Sequence, residues 1–110
     1  MAAATIDVQA CIDACNATVE ATTRMLARHL GDKSMHDTLR LCLDTSDLCG
    51  TAIGMLQRGS PHASRICELL FDLCFTCARS CDRWSSDEAR DCAVACRACA
   101  DAARAVAAAA

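Results

Sequence analysis

The chain has very few aromatic residues. It contains one tryptophan, two phenylalanines and no tyrosine, so that aromatics make up 3% of 110 residues, while apolar residues make up 54%. A core cannot be built from rings with this composition. We therefore expect a core of Ala, Leu, Ile, Val, Met and Cys, and the length suits one domain covering residues 1–110.

The chain also lacks the signals of secretion, membrane insertion and nucleic-acid binding. The N-terminal stretch MAAATIDVQACIDAC has no basic region, and acidic Asp7 and Asp13 interrupt its apolar residues. No segment approaches the roughly eighteen apolar residues of a membrane span, and a net charge of −3 gives no basic surface for nucleic acid. We expect a cytoplasmic protein with reduced thiols and no contact with membrane or nucleic acid. The sequence has no Ser-His-Asp set or carboxylate pair that would indicate catalysis, so we do not expect an enzyme.

Glycine and proline are scarce as well, and they divide the chain into four segments. Thr5 is the predicted N-cap of the first helix and Gly31 its C′ residue. Gly59 ends the second helix, Pro61 opens the third after Ser60, and Ser85 or Ser86 caps the fourth. The predicted helices are residues 5–30, 34–58, 61–84 and 86–107. Equal lengths and short connections predict an all-α, antiparallel up-down-up-down four-helix bundle.

What the chain has in abundance is cysteine, with eleven residues. Within each segment the cysteines lie three, four or seven positions apart, which is the spacing of one helical face. A bundle places such positions on its axis. The sequence therefore predicts that one common interior is lined by Cys11, Cys15, Cys42, Cys49, Cys67, Cys74, Cys77, Cys81, Cys92, Cys96 and Cys99.

The rise of about 1.5 Å per residue predicts the heights of these thiols along the axis. From one end to the other, the predicted levels are Cys11 with Cys67; Cys15 with Cys49 and Cys99; Cys74 with Cys96; Cys42 with Cys77 and Cys92; and Cys81. Beyond Cys81 the first helix offers Met25 and His29. The thiols should thus form a column, and we take Met25 and His29 as further candidate ligands.

Soft Cu(I) is the metal that this donor set suits best. One structural zinc site would leave most cysteines unused, and the usual iron–sulfur sequence motif is absent. A monovalent ion that replaces each thiol proton leaves the core neutral, whereas zinc with four thiolates carries two surplus negative charges. Several Cu(I) ions, up to about one per thiol, follow from this neutrality. Zinc or iron–sulfur binding, and a structural or interaction bundle in which cysteine only packs the core, remain open.

Five stretches also resemble the bacterial copper-storage proteins: CIDAC from residue 11, CLDTSDLC from residue 42, the RGS turn, the run from Ile66 to Cys81, and CAVACRAC from residue 92. That family consists of Cys-lined four-helix bundles. The resemblance implies storage of many Cu(I) ions and assembly as a homo-oligomer, commonly a tetramer. It also implies that metal enters near His and Met residues at one end. We expect a soft copper donor, such as a thiol or a metallochaperone, as the partner.

The sequence departs from the fuller family pattern at eight stripe positions, which lack cysteine. They are Thr18, Thr22, Met25, His29, Ile53, Leu70, Ala89 and Ala103. The first helix carries four of these eight positions, more than any other helix. We therefore expect a lower copper capacity than in a relative with complete stripes.

Overall fold

The computed structural model describes residues 7–109, which form four α-helices, one short 3₁₀-helix and no strand. The helices are α1 (Val8–His29), α2 (His36–Gln57), α3 (Ala63–Cys81) and α4 (Asp87–Ala109), and the 3₁₀-helix is Lys33–Met35. Each α-helix packs against two neighbours in the cyclic order α1, α2, α3, α4. The bundle measures 48 × 20 × 17 Å. The prediction of an all-α antiparallel four-helix bundle is confirmed. None of these helices, over the described residues, has the length and hydropathy of a membrane span.

The ends of α1 differ from the predicted ones. Thr5, the predicted N-cap, lies outside the described residues; the observed N-cap is Asp7, whose carboxylate accepts a hydrogen bond of 2.9 Å from the Ala10 N–H. At the other end Gly31 does not take the left-handed conformation expected of a C′ glycine. The Asp32 carboxylate instead accepts from the Ser34 N–H at 2.9 Å and starts the 3₁₀-helix, so that α2 begins at His36.

The turn between α2 and α3 closes with a glycine, as predicted, but the next helix begins late. Gly59 has a φ of +67°. The Ser60 and Gly59 N–H groups donate to the Met55 and Leu56 carbonyls at 3.0 and 3.2 Å, which is a Schellman motif. Residues 60–62 then form a turn in which the Ser60 carbonyl accepts from the Ala63 N–H at 3.1 Å. The prediction that Pro61 opens α3 was therefore wrong by two residues.

The connection between α3 and α4 begins earlier than predicted because Trp84 leaves the helix. Its indole Nε1 donates a hydrogen bond of 2.9 Å to Thr38 Oγ1 on α2. The last residue of α3 is Cys81 rather than Trp84. Ser86 Oγ then accepts from the Ala89 N–H at 3.1 Å, which makes Ser86, not Ser85, the capping residue of α4.

The core contains no fully buried aromatic residue in the described range. Its members are cysteines, alanines, a few larger aliphatic residues and four threonines. Phe71 and Phe75 stack on the outer side of α3 with ring centroids 6.1 Å apart. The expectation of a core without rings is thus confirmed, and small side chains allow the four helices to face one narrow interior.

Candidate metal centre

All eleven cysteines are free, and each has an exposed fraction of 0%. Every helix contributes at least two of them. Spacings of three, four and seven residues keep the thiols of one helix on one face, and the four faces meet on the axis. The predicted placement of the cysteines in the core is confirmed.

Four thiols from three helices form a compact group, which we call the four-thiol cluster. It consists of Cys42, Cys77, Cys81 and Cys92, whose sulfur atoms all lie within 4.8 Å of one another. The Sγ atoms of Cys42 and Cys77 are 3.9 Å apart. Cys96 extends this cluster along α4, since its Sγ lies 4.0 Å from that of Cys92.

Three thiols from α1, α2 and α4 form a second group, which we call the three-thiol cluster. Its members are Cys15, Cys49 and Cys99, again within 4.8 Å of one another. The Sγ atoms of Cys15 and Cys99 are 3.8 Å apart. Cys74 interacts with Cys49 and Cys99. At the end of the column Cys67 interacts with Cys11, which in turn interacts with Cys15.

The observed clusters agree with the predicted levels in part. The level of Cys15, Cys49 and Cys99 is confirmed, and Cys42, Cys77 and Cys92 also meet as predicted. Cys81 joins Cys42, Cys77 and Cys92 in the four-thiol cluster instead of lying beyond them. The pair Cys74 and Cys96 is split, because Cys74 interacts with the three-thiol cluster and Cys96 with Cys77 and Cys92. Helices that cross at an angle displace such levels relative to straight, parallel cylinders.

The thiols within each cluster differ in the direction of their pKa shifts. Hydrogen bonds from Cys42, Cys81 and Cys92 lower the pKa of Cys77. Those from Cys15, Cys49 and Cys74 lower the pKa of Cys99 in the same way. The pKa of Cys42 is raised, first by its hydrogen bond with Cys77 and then by those with other thiols and by burial. The pKa of Cys92 is also lowered, first by its hydrogen bond with Cys42, so that the four-thiol cluster holds two thiols of lowered pKa and the three-thiol cluster holds one.

The charge of the interior discriminates between metals that the sulfur spacing alone would admit. The spacing of the four-thiol cluster suits tetrahedral zinc with Zn–S bonds of about 2.3 Å. No charged side chain is buried among residues 7–109; the buried polar residues are four threonines. Two surplus negative charges of a zinc site would therefore lack a counter-charge. Cu(I) thiolates at a ratio of one to one are neutral and fit this core, and thiolate is a soft ligand that selects Cu(I).

Met25 and His29 are the two candidate ligands that are not cysteines. Met25 is fully buried on the core face of α1. The Nε2 atom of His29 lies 3.1 Å from Ser86 Oγ and 3.5 Å from a Glu88 carboxylate oxygen, so that the ring is held against the start of α4. His29 belongs to neither cluster. Metal ligation by Met25 and His29 stays a prediction.

Most stripe positions without cysteine do face the core. Six of the eight are fully buried: Thr18, Thr22, Met25, Leu70, Ala89 and Ala103. His29 and Ile53 are only half-buried. Sequence reasoning overlooked Thr45, which is fully buried on α2 three residues after Cys42 and four before Cys49. Its signal was available, because those two spacings continue the stripe.

Comparisons with known proteins agree with this geometry. The family model described as Csp, copper storage protein, matches residues 1–108. An uncharacterized cysteine-rich protein of Bacillus subtilis (strain 168), YhjQ, is 32% identical over 90 residues, which cover 79% of this chain and 83% of the relative.

Two solved structures have the same fold. Apo Csp3 (copper storage protein 3) from Bacillus subtilis has a TM-score of 0.87 and 31% identity, covering 92% of this chain and 99% of that one. The Cu(I)-bound copper storage protein BsCsp3 has a TM-score of 0.84 and 31% identity, covering 90% and 96%. With its match over nearly the whole length and its cysteine-lined bundle, this chain belongs to the copper storage protein family.

Proposed function

We propose that this protein stores or buffers Cu(I), binding several ions per chain through thiolates inside the bundle, and that it does so without enzymatic activity. The observation that carries the proposal is the presence of eleven free, fully buried thiols in a core that holds no charged side chain in its described part. A hydrophobic role alone does not need sulfur at so many core positions. The similarity to a Cu(I)-bound copper storage protein supports the same reading.

The proposed ligands are the eleven cysteines of the column, joined by Met25 and His29 beyond Cys81. The two clusters supply the closest groups of sulfur atoms. Sulfur atoms spaced 3.8–4.0 Å apart can share ions as bridging ligands. We therefore expect multinuclear Cu(I)–thiolate clusters rather than isolated sites.

Loading proceeds by ligand exchange in the cytoplasm. A soft donor, such as a small thiol or a metallochaperone, releases Cu(I) to a cysteine sulfur, and the thiol proton passes to the departing donor or to the buffer. The first acceptors in this proposal are the three thiols whose pKa is lowered by hydrogen bonds with neighbouring cysteines: Cys77, Cys92 and Cys99. The ions then pass from sulfur to sulfur along the column.

We further propose a reduced capacity and a homo-oligomeric, tetrameric assembly. The capacity follows from stripe positions that carry threonine, leucine or alanine in the core. Hydroxyl and methyl groups do not hold Cu(I). The assembly rests on the family resemblance.

Anaerobic titration of the reduced apo protein with Cu(I), in competition with a chromophoric chelator, tests the proposal. We expect several tightly bound ions per chain and absorption from thiolate-to-Cu(I) charge transfer. Tight binding of fewer than about two equivalents would contradict storage, since even one cluster offers more thiols than that. The matched control is the protein with its thiols alkylated in denaturant.

Zinc is the second candidate, because the spacing of the four-thiol cluster suits it. Elemental analysis of the purified protein and a zinc titration decide between the two metals. At most one zinc ion per chain is expected, displaced by Cu(I). A structural bundle without metal would show thiols whose reaction with a thiol reagent in denaturant is the same before and after exposure to Cu(I).

A further inference from the structure

Thr45 has the one buried side-chain oxygen or nitrogen atom in residues 7–109 that lacks a hydrogen-bond partner. Its side chain is fully buried. A buried hydroxyl without a partner loses its hydrogen bonds to water and gains none within the protein, so it lowers the free energy of unfolding. Such a group calls for a physical explanation.

Three other helical threonines show that this situation is avoidable. Thr18, Thr22 and Thr76 each donate to the carbonyl four residues earlier at 2.9 Å. This local bond is open to a threonine on an α-helix in a suitable rotamer. Thr45 does not make this bond with the Leu41 carbonyl.

The position of Thr45 relates this hydroxyl to the thiols. Along α2 it lies about 4.5 Å from the level of Cys42 and about 6 Å from that of Cys49 at the usual helical rise. Cys42 belongs to the four-thiol cluster and Cys49 to the three-thiol cluster. Along α2, Thr45 is therefore at the boundary between the two clusters.

Sulfur becomes a better acceptor when metal binds. A thiol is a weak acceptor, whereas the sulfur of a neutral Cu(I)–thiolate unit keeps part of the thiolate's negative charge and attracts donors, as in other sulfur-ligated sites. The interior offers the sulfur atoms few donors. The Thr22 hydroxyl is already bonded to two backbone carbonyls, and the Thr18 hydroxyl, which is bonded to the Ala14 and Ala95 carbonyls, also interacts with Cys99. Thr45 has its donor free.

We propose that the Thr45 hydroxyl donates a hydrogen bond to a Cu(I)-bound cysteine sulfur at the boundary of the two clusters and thereby strengthens copper binding there. The inference rests on the proposed Cu(I) function. In the apo protein the hydroxyl weakens the fold; in the loaded protein it is satisfied. Thr45 is thus a positioning residue, which acts on the metal through the cysteine sulfur. Because its hydroxyl gains a hydrogen-bond partner only when copper is bound, this hydrogen bond stabilises the loaded protein relative to the apo protein.

The test compares Thr45→Val, which removes the hydroxyl at nearly constant size, with Thr45→Ser, which keeps it. The control is Thr22→Val, at a buried hydroxyl that already has partners. For each variant the Cu(I) affinity is measured by anaerobic chelator competition, the number of ions by titration to saturation, and the apo stability by chemical unfolding. Thr45→Ala is a second hydroxyl-free variant if valine prevents folding.

We expect Thr45→Val to weaken the affinity of a subset of the ions about tenfold, the effect of losing one hydrogen bond to a charged group. The total number of ions should be unchanged, and the unfolding midpoint of the apo protein should rise. Thr45→Ser should retain the affinity, and Thr22→Val should leave it at the wild-type value without raising apo stability.

Equal affinity of wild type and Thr45→Val would overturn the inference, as would an equal loss in Thr45→Ser. A wild-type protein that binds no Cu(I) tightly would instead overturn the proposed function, so that the two failures are distinguishable.

Discussion

The sulfur atoms of Cys15 and Cys99 lie 3.8 Å apart although 84 positions separate the two residues in the chain. The pair joins α1 to α4 inside the three-thiol cluster. Cys99 also interacts with Cys49 and Cys74, so that it has three thiol neighbours.

Replacement of Cys99 should therefore lower the number of bound Cu(I) ions by more than replacement of a thiol at the end of the column. We expect Cys99→Ala to lower the number of tightly bound Cu(I) ions by more than Cys67→Ala, whose thiol interacts chiefly with Cys11. Both variants lose a buried sulfur, which costs about 1 kcal/mol of stability. Titration of both apo proteins measures the difference; an equal loss of ions in the two variants would contradict a shared role for Cys99.

A thiol added at an empty stripe position should raise the capacity. Ala103 is fully buried on α4, one helical turn after Cys99. We expect Ala103→Cys to bind about one more Cu(I) ion per chain, because each thiolate neutralises one monovalent ion. Ala103→Ser is the matched control, of nearly equal size but with a hard oxygen donor. Equal counts for the two variants would mean that missing cysteines do not limit the capacity.

The stability of the apo protein should fall as the pH rises above 9. Eight thiols have a pKa raised in the fold: Cys11, Cys15, Cys42, Cys49, Cys67, Cys74, Cys81 and Cys96. For Cys11 a hydrogen bond with Cys15 and then burial raise the pKa from 9.0 to about 12. Between these values the unfolded chain binds fewer protons than the folded one, so the free energy of unfolding decreases with pH.

The three thiols with lowered pKa do not reverse this trend. Cys77, Cys92 and Cys99 are ionised in both states above pH 9, so their stabilising contribution is complete there and constant. Denaturant midpoints of reduced apo protein, measured from about pH 8 to about pH 11, test the prediction. The Cu(I)-loaded protein, with its thiols metallated, is the control and should show little dependence; an apo protein equally insensitive to pH would contradict the prediction.

The network around Thr38 should stabilise the end of the bundle near Trp84. Thr38 Oγ1 accepts from the Trp84 indole at 2.9 Å and lies 2.7 Å from Ser80 Oγ. We expect Thr38→Val to lower the free energy of unfolding by about 1–2 kcal/mol, because two polar groups lose their partner.

Thr76→Val is the control for this network, since Thr76 is exposed and bonds only to the Asp72 carbonyl of its own helix. Its substitution should change stability by less than about 0.5 kcal/mol. Chemical denaturation followed by far-ultraviolet circular dichroism measures both variants. A Thr38→Val protein as stable as Thr76→Val would show that the network contributes nothing.

The number of helices and the faces that carry the thiols could be predicted from the sequence because both depend on local spacing. Cys74, Cys77 and Cys81 share one face of any α-helix, whatever it packs against. Helix ends were less predictable. Trp84 leaves α3 to reach Thr38 on another helix, and Asp32 starts a 3₁₀-helix where Gly31 alone suggested a simple end. These choices depend on partners or competing caps that periodicity does not report.

The candidate metal centre could likewise be predicted only in part. The sequence by itself determined that eleven thiols line one interior, since helical periodicity and burial of apolar faces act within each segment. The heights along each helix also predicted that Cys15, Cys49 and Cys99 meet. Only the tertiary structure decided the complete grouping across helices, because the crossing and relative height of packed helices fix distances such as that between Cys42 and Cys77. The fold also decided that Cys74 and Cys96 belong to different clusters, that Ser86 and Glu88 hold His29, and that the Thr45 hydroxyl has no partner. Each of these facts is a contact, or a missing contact, between side chains of different helices, and spacing along one helix carries no information about it.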